Sequence, residues 1–448
     1  MRFLRDINLV FFTYIANYLL AFVLNILIAR GLGTDGRGIY EISLLTISIA
    51  QAVMSLGVGV ASLYYIGKKA YSARDLLSNG QFIVLASAAL SGLLVLLAAG
   101  TFGPRLLEED FPYWIFLFGV PLFLNFNLVT VFLQAHNRFL AMNSLTLIRP
   151  VIMIALLAGG LAFGGLDTTN VLVFWAIALL VAVVAGLLLL GIDKLHLPTI
   201  LWPKWGVLKA QMTFGLQGQL GNILQLLNYR VDKYVALIFV GTSGVGIYAV
   251  AVGVTESVWF IANAVAVVLL PHLTSAHKDE AAAFAPVACR NTIFLSLIAA
   301  VGLGTVSWPL VPIFFGEDFS HSVVAIWWLL PGTVALAGTK ILASYFFSQG
   351  KPLINSYITV ASLAVTLACD FALIPVFGVP GAAAASSIAY SVSLVLSLLV
   401  YQRLSGQSLW GAVFIKGSDL RLYLETARTA RARLLPSATV AGDQEGGI

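Results

Sequence analysis

Gly33-Thr34-Asp35-Gly36-Arg37-Gly38-Ile39-Tyr40 and Gly241-Thr242-Ser243-Gly244-Val245-Gly246-Ile247-Tyr248 agree at six of eight positions, at an offset of 208 residues in a chain of 448. An offset of nearly half the chain points to a duplicated unit, and a duplication fixes architecture before any single motif does. Because the chain holds 40 glycines, the match needs a second correspondence at the same offset. Tyr14, Asn17, Tyr18 and Asn25 share one face at helical spacing. Adding 208 to Tyr14, Asn17 and Asn25 gives Asn222, Gln225 and Lys233, which share one face of a later segment and are extended by Gln219, Tyr229 and Arg230. Each half therefore begins with an apolar helix that carries a polar stripe.

The rest of the chain says what solvent these helices meet. Hydrophobic residues make up 60% and charged residues only 10%, against about a quarter charged in a soluble domain, and the mean hydropathy is +0.95. In lipid the backbone must satisfy its own hydrogen bonds. Apolar runs of about 20 residues match spanning helices rather than the short alternating strands of a barrel. Twelve spans are predicted, near 8–30, 39–66, 81–101, 113–135, 144–163, 171–191, 213–240, 246–271, 286–308, 324–347, 355–375 and 380–402. The expected fold is an all-α membrane protein of twelve transmembrane helices in two six-helix bundles related by a pseudo-twofold, parallel repeat. The lobes are expected over 1–200 and 201–405, followed by a basic tail, 406–448, whose residues 419–435 place Arg421, Glu425 and Arg428 at helical spacing before an unstructured end. A helix on anionic lipid and a solvated helix both fit that stretch.

The first run, Asn8 to Ala29, is too long for a signal-peptide core and is read as a retained span. Both cysteines, Cys289 and Cys369, fall in apolar runs and are read as packed thiols. The Lys and Arg residues concentrate in the loops on the side of the N-terminus, with Arg30, Arg37 and Arg105 as the exceptions, so both termini are predicted cytoplasmic. The formal charge of +5 is not gathered on one folded surface, and no nucleic-acid partner is expected.

Charges inside spans come next, because each costs about 2.5–3.5 kcal/mol at the bilayer centre on insertion scales and so faces water or a partner. Arg149, Arg230, Lys233 and Lys340 lie within spans, Arg30 lies at an outer edge, and the acids are Glu41, Asp232, Glu256 and Asp370. Arg230 and Lys233, three residues apart, could hold a pyrophosphate, with Arg149 and Lys340 receiving it nearer the cytoplasm. Tyr14, Asn17, Asn25, Gln219, Asn222 and Gln225 could bond sugar. The competing structural reading has Asp232 neutralise Arg230 or Lys233, Arg149 and Lys340 snorkel to an interface, and the amides bind helix to helix. Asp232, Glu256, Asp370 and Glu41 suit either charge pairing or ion coupling.

Gly31-Leu32-Gly33-Thr34-Asp35-Gly36 satisfies a dinucleotide fingerprint, but it joins two spans rather than a strand and a helix, so its glycines are read as serving a turn. His136, His196, His272, His277 and His321 show no metal spacing and are read as interfacial polar residues. No paired acids or nucleophile motif occupies an outer loop, which argues against an enzyme.

Four stretches carry a resemblance: Ala29-Arg30-Gly31-Leu32-Gly33 through Gly38-Ile39-Tyr40; Val231-Asp232-Lys233 through Gly246-Ile247-Tyr248; Leu270-Pro271-His272-Leu273; and Leu373-Ile374-Pro375-Val376-Phe377-Gly378-Val379-Pro380-Gly381-Ala382-Ala383. With these, the chain resembles the polysaccharide-repeat flippases of the multidrug/oligosaccharidyl-lipid/polysaccharide exporter superfamily over roughly residues 8–403. The resemblance implies a V of two bundles, with a central cavity opening alternately to each side. It further implies a polyprenyl-pyrophosphate-linked oligosaccharide as substrate, moved from the inner to the outer leaflet of a bacterial inner membrane in company with lipid and other polysaccharide-assembly proteins. No cofactor is expected, and the coupling ion, proton or sodium, stays open. A cation-coupled multidrug or metabolite antiporter of the same superfamily is the alternative, although the first span has no carboxylate between Leu9 and Ala29. A membrane-embedded glycosyltransferase or ligase is the third reading.

Overall fold

The computed structural model describes the backbone of residues 2–102, 112–191 and 202–419, and the side chains of Thr13, 15–97, 112–191, 202–277 and 279–419. The chain is a multi-pass membrane protein. Its helices are α1 (Arg2–Met54), α2 (Val58–Gly67), α3 (Ala73–Phe102), α4 (Trp114–Ala135), α5 (Phe139–Phe163), α6 (Thr168–Leu190), α7 (Trp205–Arg230), α8 (Asp232–Thr255), α9 (Trp259–Ser275), α10 (Lys278–Phe315), α11 (Ser322–Ser348), α12 (Leu353–Phe377), α13 (Val379–Ser405) and α14 (Trp410–Val413). Prolines stand inside α4, α5, α9, α10, α11 and α12, as membrane helices tolerate when neighbours re-satisfy the freed carbonyls. Large apolar side chains turn outward, Leu96, Val268, Trp308 and Val376 each about 70% exposed, which lipid accommodates and water would not.

Among the described residues ten helical segments are long and apolar enough to cross a bilayer. Two of them are double. A straight 53-residue helix would be about 80 Å long, far more than the hydrocarbon core of about 30 Å, and α1 breaks at Gly33 with φ 66° and ψ −170°. The 71-residue run from Trp205 to Ser275 breaks likewise at Gly241, with φ 68° and ψ −172°. The two breaks bring the crossings to twelve. The turn expected at each copy of the octapeptide is made by one non-helical glycine, Gly33 or Gly241, which leads straight into the next helix. A side chain at that φ would be strained.

The two copies of the octapeptide meet each other. The Thr242 hydroxyl donates to Asp35 Oδ1 (2.7 Å) and the Ser243 hydroxyl to Thr34 Oγ1 (2.8 Å). A Cβ on Gly38 would strike the Thr242 carbonyl, and one on Gly246 would strike the Thr34 carbonyl. Thr34 corresponds to Thr242, Asp35 to Ser243 and Gly38 to Gly246 at the 208-residue offset. These four contacts thus form two symmetry-related pairs around a pseudo-twofold axis.

This clasp closes the face opposite the chain termini, called the far face below. At the terminal face α7 leans on helices of the first half. Gly57 and Gly215 approach backbone to backbone, Tyr64 stacks on Phe214 at 4.4 Å, and Asn79 Nδ2 donates to Gln211 Oε1 (2.7 Å). The two largest apolar cores centre on different halves, the second also taking in Ala29 and Ile42 of α1. One joins Ile47, Leu133, Leu145, Trp175 and Leu179 of α1 and α4–α6, and another joins Tyr248, Val311, Phe319, Ile326 and Leu329 around α8, α10 and α11.

After α13 ends at left-handed Gly406, the tail folds back on α10. Arg290 donates to both Asp419 oxygens (2.6 and 2.7 Å) and to the Gly411 carbonyl (3.1 Å). These bonds hold the Asp419 carboxyl below its usual range. The amphipathic stretch expected from residue 419 onward, with Arg421, Glu425 and Arg428, lies outside the described residues beyond Asp419. Cys289 and Cys369 are free thiols.

Candidate functional site

The intramembrane charges gather where the first helix of the second half faces the first half. Arg230 ends α7 and Lys233 begins α8. The expected neutraliser, Asp232, pairs with neither side chain. Arg230 makes a two-pronged pair with Glu256 (2.6 and 3.2 Å), and Lys233 pairs with Glu41 on the other half of the molecule. The reason lies in helical geometry: Asp232 projects away from its neighbours toward α13, where it accepts from the Tyr248 hydroxyl (2.5 Å), the Ser386 hydroxyl (3.0 Å) and the Lys233 backbone N–H (2.8 Å). Lys233 is 2% exposed and Arg230 is half-buried.

Arg149 and Lys340 form no ion pair among the described residues. Arg149 lies mid-helix in α5, its guanidinium 5.6 Å from the Phe126 ring centre. Lys340 of α11 donates to Asn263 Oδ1 (3.0 Å) and sits over the Trp259 ring at 4.5 Å, with Tyr229 at 6.0 Å. Tyr229, Trp259 and Tyr390 pack as an aromatic wall with ring centres 5.3–6.2 Å apart. Such a wall holds a cation by its ring faces, and Trp259 and Tyr390 are themselves buried, packed with Leu336. One half thus supplies an unpaired guanidinium and the other an unpaired ammonium.

The polar stripes are partly structural. Asn17 donates to the Thr13 carbonyl (3.1 Å) and Thr146 Oγ1 (3.4 Å), tying α1 to α5. Asn25 donates to the Ala21 carbonyl (2.8 Å) and accepts from Arg37 (2.5 Å). Gln219 donates to the Ala52 carbonyl (2.8 Å) across the halves, Asn222 to Gln219 Oε1 (3.4 Å), and Gln225 accepts from Thr359 (3.3 Å). Asn222 keeps an exposed side chain. The Tyr14 side chain lies outside the described residues. Arg30, at the far face, donates to the Phe314 carbonyl (2.7 Å) and to the Ile313 carbonyl.

Asp370 of α12 is fully buried, and neither carboxylate oxygen has a hydrogen-bond partner. It shares its surroundings electrostatically with Asp232. A naked carboxylate in this setting would cost several kcal/mol, so the position asks for a proton or a small cation. An apolar hollow of about 380 Å³ is lined by Ser257, Ile261, Ala299 and Leu303, but none of these charges lines it.

Arg37, Trp259, Tyr390 and Asn263 belong to this region and were absent from the sequence-based set. Arg37 could have been found, since the repeat exposes it as the one basic residue of the octapeptide, opposite Val245. Trp259 and Asn263 follow the 3-10 turn Glu256–Val258, a break with no counterpart signal in the sequence.

With that geometry in place, comparison with known proteins gives three findings. The sequence model of a family described as "Polysaccharide biosynthesis protein" matches residues 3–277. Among curated relatives, the capsular polysaccharide biosynthesis protein CapF of Staphylococcus aureus is 25% identical over 41% of this chain and 47% of its own length. The probable low-salt glycan biosynthesis flippase Agl15 of Haloferax volcanii is 28% identical over 37% of this chain and 36% of its own. The matches thus span about half or less of the length of either relative. Among solved structures, the lipid II flippase MurJ in an inward closed conformation is similar with a TM-score of 0.69 at 13% identity, over 96% of this chain and 99% of that one. A multidrug resistance MATE family transporter of the MOP superfamily, inward-facing, gives 0.67 at 16% identity over 87% and 95%. At such identities these likenesses show the fold, the two-lobed architecture of that superfamily.

Proposed function

We infer, because the chain belongs to the polysaccharide biosynthesis protein family, that it moves a polyprenyl-pyrophosphate-linked oligosaccharide from the cytoplasmic to the outer leaflet of a bacterial inner membrane by alternating access, and is not an enzyme. The lobes, 1–200 and 201–405, part in turn at the terminal face and at the far face that the octapeptide clasp closes, with the terminal face in the cytoplasm on the charge asymmetry of the loops. Beside family membership, the observation that carries this reading is the pair of unpaired, half-buried cations, Arg149 and Lys340, one from each lobe. A pyrophosphate offers the anionic oxygens that both lack. Arg230 and Lys233 would join them after exchanging Glu256 and Glu41 for phosphate. Asn222, whose side chain is exposed, with Asn17 and Gln225 would meet sugar, while the prenyl chain trails in lipid.

Asp232 and Asp370 are assigned to ion coupling, taking a proton or sodium ion whose release lets the second lobe change shape. A drug antiporter of the same fold is the second reading. It would select organic cations with an accessible carboxylate, whereas Glu41 and Glu256 are both neutralised and the unpartnered Asp370 is fully buried. Proteoliposomes with labelled polyprenyl-pyrophosphate sugar separate the readings. Leaflet transfer without bond formation is expected; drug efflux with no lipid transfer would support the antiporter, and new glycosidic bonds an enzyme.

A further inference from the structure

Arg37 is 3% exposed, yet its Nε and Nη1 have no hydrogen-bond partner. Its remaining nitrogen, Nη2, serves both Asn25 Oδ1 (2.5 Å) and Glu41 (3.5 Å). Glu41 is also the partner of Lys233 from the opposite lobe. Two buried cations therefore share one carboxylate, and these three side chains sum to +1 with two guanidinium nitrogens unmet, since the next acid, Asp232, turns to Tyr248 and Ser386. A guanidinium normally meets an oxyanion with two parallel N–H bonds, and unmet buried donors are costly. The site is one anion short, and it lies beside the clasp, so it also helps hold the lobes together at the far face.

We propose that Arg37, Glu41 and Lys233 form a phosphate-exchanged latch: a phosphoryl group of the substrate binds Arg37 and Lys233, displaces the Glu41 carboxylate between them, and so frees the lobes to part at the far face. This rests on the flippase reading for the identity of the ligand, and it adds the site at which the ligand opens the exit. Glu41 acts as the resident anion that stands in for phosphate until substrate arrives. The second copy of the repeat has Val245 and Ala249 at the positions of Arg37 and Glu41, so the device belongs to one lobe only.

The test is binding of a short-chain prenyl pyrophosphate, and separately of inorganic pyrophosphate, to the full chain in nanodiscs. Arg37→Gln is expected to weaken binding of the prenyl pyrophosphate by about tenfold or more, the loss of roughly one charge-assisted contact. Glu41→Gln is expected to tighten it several-fold, because the competing anion is gone. If E41Q is recovered from membranes only when pyrophosphate is present, that is the same result in another form. Unchanged binding in R37Q, weaker binding in E41Q, or E41Q that cannot be recovered with or without the anion would each overturn the latch. A response to inorganic pyrophosphate alone would overturn the lipid-linked source. These outcomes are independent of leaflet transfer: wild-type protein that binds in this pattern but moves no lipid contradicts the flippase reading and leaves the anion site standing.

Discussion

The two copies of the octapeptide share a backbone and divide the charge. Gly33 and Gly241 agree within 2° in both φ and ψ, and the copies meet at paired positions, Thr242 with Asp35 and Ser243 with Thr34, Gly38 against Thr242 and Gly246 against Thr34. Their side chains then diverge: the first copy carries Asp35, Arg37 and, one residue on, Glu41, where the second has Ser243, Val245 and Ala249. The preceding spans diverge in the opposite sense, with Phe22, Leu24 and Asn25 corresponding to Arg230, Asp232 and Lys233. Duplication supplied a symmetric clasp, and divergence placed an acid on one side of it and a base on the other. The ion pair Lys233–Glu41 that joins the halves is possible because the halves stopped being alike.

The largest effect comes from Lys233→Gln, which removes the ion pair across the halves and leaves Glu41 to Arg37 at 3.5 Å. Removing one partner of a buried pair costs about 3 kcal/mol, and thermal unfolding of the purified chain is expected to show it. Gly38→Val and Gly246→Val come next, at about 2 kcal/mol each, because either side chain runs into a backbone carbonyl that cannot give way. Their two costs are expected to agree within about 0.5 kcal/mol; a large inequality would deny the symmetry of the clasp. Asp370→Asn is expected to leave stability nearly unchanged and to abolish the dependence of transport on an imposed ion gradient, read in proteoliposomes. The smallest effect is away from the repeat. Asp419→Asn should loosen the tail by about 1 kcal/mol, seen as faster amide exchange at 410–419. Since Arg290 holds the Asp419 carboxyl below its usual range, that contribution is whole above the ordinary carboxylate pKa of about 4 and disappears only as pH falls through the lower folded value.

Most of the fold was legible because lipid imposes a simple rule on the chain. The predicted spans 113–135, 144–163 and 171–191 fall on α4, α5 and α6 to within a turn or so at either end. The helices overshoot the apolar runs, as at α3, which starts at Ala73 rather than 81, because helical hydrogen bonding continues past the hydrocarbon into polar residues such as Arg74 and Asp75. The site was legible only as a set of residues. That Arg230 and Lys233 matter as a cluster could be read from spacing, but their partners could not. Glu256 is 26 residues from Arg230 and Glu41 is 192 from Lys233, and such pairs are fixed by how α8 bends at its end and by where α1 doubles back. Asp232 illustrates the limit most sharply: adjacent in sequence to Lys233, it bonds Tyr248 and Ser386 instead.

The proposed transport turns on Arg149 and Lys340, which pair with no acid among the described residues. Its most direct test is leaflet transfer of a labelled polyprenyl-pyrophosphate sugar by wild-type protein, Arg149→Gln and Lys340→Gln reconstituted at equal density. Transfer by the wild type is expected, with a loss of about tenfold or more in each variant and thermal stability held, since neither cation forms an ion pair among the described residues. Equal transfer by all three proteins, or none by the wild type, would contradict the proposal.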